Sequence, residues 1–200
     1  PVGTDRDDFA AFGPKPRDLW RKQLDAAQRI TWQEAMGRLT TYWDDFVAKR
    51  TKFLTPEPLL DDIYKHQLAV LHMCRLKFAP TDYEIQLTGP DWYWDIAVSR
   101  DTPYMHLVWD QAGYSDVADS LWRLFLTPRS KLPRARWTVG QWEGGPETDG
   151  LWIARPRQWS GQGQFLWSLV SHYLIKGDMN GLKQNYPKIR RGAEWTMRAI

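Results

Sequence analysis

Two stretches of this chain set tryptophans beside acids, guanidiniums and amides in a pattern suited to hydroxyl-rich ligands. Residues 89–101 hold Trp92, Trp94, Asp95, Arg100 and Asp101; residues 149–162 hold Trp152, Arg157, Gln158, Trp159 and Gln162. A sugar presents an apolar C–H face that lies on an indole ring, and hydroxyls that need carboxylate, guanidinium and amide partners. A packed core also uses tryptophan, but it does not surround the ring with so many groups that are costly to bury unpaired.

Each cluster has a structural alternative. Arg100 and Asp101 can form an ion pair that holds their loop, or can meet ligand hydroxyls just before a helix start that favours the negative charge. Arg157, Gln158, Trp159 and Gln162 can bind a polyol, or can satisfy backbone groups between loops. Between the clusters, the glycine-rich residues 140–150 carry Trp142, Glu143 and Glu147. One carboxylic acid that protonates a glycosidic oxygen and a second that activates water are the minimal machinery of glycoside hydrolysis. Glu143 is the candidate acid and Trp142 a candidate substrate contact, with a solvated loop carboxylate as the alternative.

Other chemistries lack their residues. His66, His72, His106 and His172 have no metal-ligand spacing and fit hydrogen-bonded core or surface histidines, so no metal and no cofactor is expected. No Gly-x-Ser-x-Gly elbow occurs, and Ser168 and Ser171 fall inside a helical pattern. Gly161-Gln162-Gly163 follows no strand and lacks the rest of a phosphate-loop pattern.

The composition of the 200 residues is globular, with 42% hydrophobic and 26% charged residues; thirteen tryptophans are the outlier. The single cysteine, Cys74, excludes an intramolecular disulfide and lies in an apolar helical stretch, where it is expected buried. A net charge of +3, with bases interspersed among acids, does not indicate nucleic acid; the run Lys188-Ile189-Arg190-Arg191 reads as a solvated helix face. No segment approaches the roughly 18 apolar residues of a membrane span. Neither compartment nor oligomeric state follows from these features.

The elements that must position the clusters are helical. Residues 1–29 show no sustained period and read as a linker or the tail of a preceding domain, with short strands. Thr31-Trp32-Gln33-Glu34 is a capping box, and Trp32, Ala35, Met36, Leu39, Trp43, Phe46 and Val47 then fall on one helical face. Residues 59–78 are apolar nearly all round and predict a buried helix. Thr102-Pro103 predicts a helix start and Gly113 its stop; Ser115 starts the next helix, with Val117, Leu121, Leu124 and Phe125 on one face. Residues 129–163 read as loop or short hairpin. A second largely buried helix spans residues 164–176, carrying Phe165, Leu166, Leu169, Val170, Tyr173 and Leu174, and stops at Gly177. A turn at Asn180-Gly181 leads to a final helix with Ile189, Ala193, Thr196 and Ile200 on one face.

A weak internal repeat is present: a Trp-rich loop, a buried helix, a glycine stop and an outer amphipathic helix, once through Gly113 and again through Gly177. Repeated pairs of one buried and one half-exposed helix fit a toroid whose inner-helix loops gather at one end. The expected fold class is therefore mainly α: a partial toroid of helical hairpins over residues 30–200, after the linker or tail of a preceding domain in residues 1–29. Pro1 in place of methionine, and a last helix without a stop signal, read as cut ends of a longer chain.

In order, Tyr93-Trp94, Arg100-Asp101-Thr102-Pro103-Tyr104-Met105, Gln111-Ala112-Gly113-Tyr114 and Asp149-Gly150-Leu151-Trp152 resemble the six-hairpin, (α/α)6-barrel glycosidase superfamily, glucoamylase-like members above all. Gln162-Gly163-Gln164-Phe165-Leu166-Trp167, His172-Tyr173, Gly177-Asp178 and Asn185-Tyr186-Pro187 continue the series. The resemblance covers residues 30–200 and implies a partial (α/α)6 toroid, about half a barrel, preceded by the end of an N-terminal β domain. It further implies an oligosaccharide or polysaccharide substrate, Arg100 and Asp101 holding hydroxyls of the terminal sugar, and acid/base cleavage of O-glycosidic bonds with inversion. By that pattern the catalytic carboxylates lie mainly in later hairpins. A non-catalytic sugar-binding or helical-repeat scaffold fragment is the alternative.

Overall fold

A computed structural model describes residues 16–77, 83–88, 101–127, 150, 152 and 160–199. These form seven helices and one two-stranded antiparallel sheet: α1 (Pro16–Gln28), α2 (Trp32–Ala48), α3 (Pro58–Met73), β1 (Arg75–Lys77), β2 (Glu84–Gln86), α4 (Thr102–Gln111), α5 (Ser115–Leu126), α6 (Ser160–Lys176) and α7 (Met179–Ala199). The mainly α class is observed. The chain divides into two units, residues 1–48 with 78–82, and residues 49–77 with 83–200.

In the first unit, α1 replaces the linker or strand expected up to residue 29. Pro16 opens it at a position that needs no amide donor, and Arg, Lys, Gln, Leu and Ala then favour helix. The capping box forms as read: the Thr31 amide donates to Glu34 Oε2 at 2.9 Å and the Glu34 amide to Thr31 Oγ1 at 3.2 Å. The bonds from Thr31 hold the Glu34 carboxyl below its ordinary pKa. Of the apolar face expected on α2, Phe46 is buried, whereas Trp32, Met36 and Leu39 are exposed.

In the second unit, Glu57 caps α3 by accepting from the Leu59 amide at 3.1 Å. Two expectations fail here. The helix ends before Cys74 and the chain enters β1, so Cys74 is a half-buried C-cap, not a buried helix residue. The helix is also not buried all round: Leu68 is, while Leu59, Leu60, Ile63, Val70 and Met73 are exposed. Strand β1 pairs with β2 through Leu76 opposite Ile85, and the ion pair between Arg75 and Glu84 spans the ladder.

Helices α4 to α7 form the main core. The Ser168 hydroxyl donates to the Pro103 carbonyl at 2.7 Å, and His172 meets Asp110 at 2.9 Å, so α4 and α6 run parallel side by side. Helix α5 runs back against them: Asp119 meets His172, while Phe125 stacks near Phe165 with ring centroids 4.8 Å apart. Helix α7 runs back against α6, with Asn185 at Tyr173 and the Gly192 carbonyl at Gln162. Trp109, Leu121, Trp122, Leu124, Phe125, Phe165 and Leu169 fill the interior. The expected α5 face of Val117, Leu121, Leu124 and Phe125 is buried. On α6, Phe165, Leu169 and Tyr173 are buried, but Leu174 is exposed.

The repeat is realised at the helix ends. Gly113 has φ 86° and Gly177 φ 71°, a left-handed conformation that glycine adopts without a Cβ clash. After α4 the Tyr114 amide returns to the Trp109 carbonyl at 2.8 Å, and after α6 the Asp178 amide returns to that of Tyr173 at 3.0 Å. Both are the six-to-one closure of a Schellman end. The expected Asn180-Gly181 turn is instead the first turn of α7, closed by Asp178 Oδ1 accepting from the Gly181 amide at 2.8 Å.

Candidate functional site

Because α4 and α6 are parallel, the segments before Thr102 and before Ser160 lead into the same end of the unit. Three side chains meet toward that end, Tyr104 from the first turn of α4 and Gln164 and Trp167 from the second and third turns of α6. Tyr104 and Trp167, 49% and 47% exposed, stand with ring centroids 5.6 Å apart at an interplanar angle of 56°. The Gln164 amide donates to the Tyr104 hydroxyl at a long 3.5 Å, and its Oε1 is buried with no partner among the described residues. An open aromatic edge suits a ligand with an apolar C–H face.

Asp101 caps α4 with its backbone: its carbonyl accepts from the Tyr104 amide at 3.1 Å, and its carboxylate makes no capping bond. Thr102 is the first helical residue, and its Oγ1 is buried without a partner among the described residues. Among those residues Asp101 is the only carboxylate at or within the first turns of α4 and α6.

Gln162 takes the structural side of its two readings. It is 1% exposed, and its amide is fully used: Oε1 accepts from the Trp152 amide at 2.8 Å, and Nε2 donates to the Gly150 carbonyl at 3.0 Å and the Gly192 carbonyl at 3.1 Å. It braces the chain before α6 against α7 and has no hydrogen-bonding group left for a ligand. Gly150 makes the brace possible: its φ is 93°, and a Cβ there would stand 2.3 Å from the Arg191 carbonyl oxygen. Gln86 does a similar task elsewhere, donating to the Leu71 carbonyl and accepting from Trp109 Nε1 at 3.0 Å.

Trp92, Trp94, Asp95, Arg100, Trp142, Glu143, Arg157, Gln158 and Trp159 lie outside the described residues. The tryptophan excess is partly core: Trp109, Trp122 and Trp152 are buried, so Trp152 is no part of an open pocket wall. Lys188 donates to the Leu126 carbonyl at 2.9 Å, and Arg190 pairs with Glu194 at 2.7 Å, as expected of a helix face rather than a phosphate patch.

The histidines divide. His66 is bonded to the Asp62 carbonyl at 2.7 Å, and His72 lies beside Arg75. His106 departs from expectation: it is fully buried with neither ring nitrogen bonded among the described residues, and desolvation, followed by the His172 charge, lowers its pKa to about 3. His172 lies between two carboxylates. No metal-binding group of His, Cys, Asp and Glu occurs among the described residues, and no described helix is long and apolar enough to cross a membrane. Comparison with protein-family models, curated proteins and solved structures found no match.

Sequence reasoning missed Tyr104, Gln164 and Trp167 as a site. The signal was present but weak: an aromatic directly after the Thr-Pro start of α4, and another two turns into α6.

Proposed function

We propose that this chain is part of a carbohydrate-active enzyme that cleaves O-glycosidic bonds, and that a sugar lies across the end of the unit where α4 and α6 begin. The Tyr104–Trp167 pair carries this reading, since two neighbouring exposed rings offer a surface for the C–H face of a pyranose. The resemblance to six-hairpin glycosidases agrees with it. So does the arrangement of parallel inner and returning outer helices, which further hairpins would close into a toroid. Glu143 is the proposed general acid, acting with a second carboxylate that activates water and so inverts the anomeric centre. No step in this scheme calls for a metal or organic cofactor.

Affinity electrophoresis in gels containing glycogen, starch, xylan or β-glucan tests binding, and release of reducing ends from the same polymers tests cleavage. At least one polymer is expected to retard the protein, with Trp167→Ala and Tyr104→Ala each weakening binding by about tenfold, near 1.4 kcal/mol. Glu143→Gln is expected to abolish cleavage and leave binding. Binding without cleavage would favour the non-catalytic reading, which has in its favour that Asp101 is the only carboxylate described at or within the first turns of α4 and α6. Binding unaffected by both aromatic substitutions would remove the proposed surface.

A further inference from the structure

At the end of the unit opposite Tyr104 and Trp167, α4, α5 and α6 meet around one imidazole. His172 Nδ1 lies 2.9 Å from both carboxylate oxygens of Asp110, and its Nε2 lies 3.0 Å from Asp119 Oδ1. Ionised carboxylates only accept hydrogen bonds, so satisfying both contacts requires a proton on each ring nitrogen. The charges then balance, because Lys176 Nζ stands 2.5 Å from the other oxygen of Asp119 and the group holds two anions and two cations. His172 and Asp110 are buried, whereas Asp119 and Lys176 reach solvent, so the cluster is a path of hydrogen-bonding groups from core to surface.

The other groups facing the cluster can be placed. On α4, His106 is near enough for the His172 charge to oppose its protonation, and it remains neutral. On α6, the Tyr173 hydroxyl is held by Asn185 at 2.8 Å, and burial raises its pKa to about 12. Asp178, just past α6, adds negative charge felt by Lys176 and Tyr173.

We propose that His172 is a proton-operated clasp: with both ring protons it ties α4 to α5 through α6, and loss of one proton releases the arm to Asp119. That arm yields because Asp119 is partly exposed and keeps Lys176, whereas Asp110 is enclosed and would be left a buried, unpaired anion. The bare Nε2 then presents a lone pair to a carboxylate. Sequence placed His172 only as a hydrogen-bonded histidine; the clasp needs residues 53 and 62 positions away in the chain.

Long-range proton–nitrogen correlation spectra of the wild-type chain read the ring directly. Protons on both nitrogens of His172 are expected while the Nε2–Asp119 contact holds, and as pH is raised the Nε2 proton is expected to leave before the Nδ1 proton; a ring that never carries both protons in the folded chain, or that loses the Nδ1 proton first, overturns the clasp. In urea unfolding, the wild-type chain is expected to lose its advantage over His172→Gln as pH rises. The ratio of the two folding constants should shrink by about tenfold or more between the pH at which the spectra show two ring protons and the pH at which they show one, the range of one hydrogen bond between charged groups. A ratio constant across that range overturns the clasp. Asp119→Asn supplies an amide that can donate to an unprotonated Nε2, so it should fold and lose most of this alkaline dependence; if it retains the full dependence, the released arm is not Asp119 and the proposal fails. Should His172→Gln not fold at either pH, the ring spectra and Asp119→Asn decide.

Discussion

Replacing His106 by phenylalanine should remove a distinct part of the acid sensitivity of this protein. His106 sits among Trp122 and Phe125, ring centroids 4.7 and 5.5 Å away, with no hydrogen-bond partner for either nitrogen among the described residues. Burial first, and the His172 charge second, lower its pKa from 6.5 to about 3. The folded chain therefore refuses a proton that the unfolded chain takes up between those values, and stability falls as pH drops through that window. Each unit is worth about 1.36 kcal/mol, so the loss is roughly 2–3 kcal/mol at pH 4.5 and about 5 kcal/mol over the whole window. At pH 7.5 the term is absent. There the substitution also removes two unpaired polar atoms while keeping an aromatic ring, and should be neutral or stabilising. Urea unfolding of wild type and His106→Phe at pH 7.5 and 4.5, followed by far-ultraviolet circular dichroism, isolates the effect, because the carboxylates common to both chains cancel in the difference. The variant should gain about 2–3 kcal/mol on the wild type at the lower pH. A difference that stays constant within about 0.5 kcal/mol would refute the assignment of His106 as a buried neutral imidazole.

The left-handed glycines and the buried glutamine give further tests. Alanine should destabilise in the order Gly150, Gly113, Gly177: a Cβ at Gly150 meets backbone at 2.3 Å, one at Gly113 meets Thr51 Oγ1 at 3.0 Å, and one at Gly177 meets nothing within 4 Å. Gly177→Ala should therefore show only the conformational cost of about 1 kcal/mol, and thermal melts that rank Gly177 above Gly150 would contradict this geometry. Gln162→Leu should cost about 2–4 kcal/mol, since it leaves the Trp152 amide and two carbonyls without their partner. Hydrogen exchange at the Trp152 amide should accelerate in step; unchanged protection there would mean that the brace does not hold that segment.

What could be read from sequence follows the range of the interaction behind it. The ends of α4, and the Gly177 stop of α6, were legible because a Thr-Pro start and a left-handed glycine act within a few residues. The start of α6 was placed at Gln164, four residues late, because Gly161 and Gly163 read as loop; the structure buries Gly161 and Gln162 inside the first turn. The two strands were missed because three residues each are too few to show a period, although Tyr83, Ile85 and Leu87 alternate. Exposure of α3 was not legible at all, since an apolar sequence says that a helix can be covered and not what covers it. For Gln162 the residue type fitted both a ligand and a backbone brace, and only the approach of Gly150 and Gly192 decides between them.

The site depends on direction more than on composition. The hairpin closed at Gly113 returns α5 against α4, and the one closed at Gly177 returns α7 against α6. With α4 and α6 parallel, whatever precedes one inner helix must arrive at the same end as whatever precedes the other. That brings Tyr104 and Gln164, sixty residues apart, within 3.5 Å. The same geometry sends the helix ends, with Asp110 and His172, to the opposite end. The exposed aromatic pair thus lies toward the starts of the two helices, and the buried charge cluster toward their C-terminal ends. Substitutions at Trp167 should therefore affect ligand binding without moving the pH profile of stability, and substitutions at His172 should do the reverse. If Trp167→Ala shifted the alkaline limb of stability, or His172→Gln weakened polysaccharide binding at pH values where it is fully folded, the two ends would be coupled and this separation would be wrong.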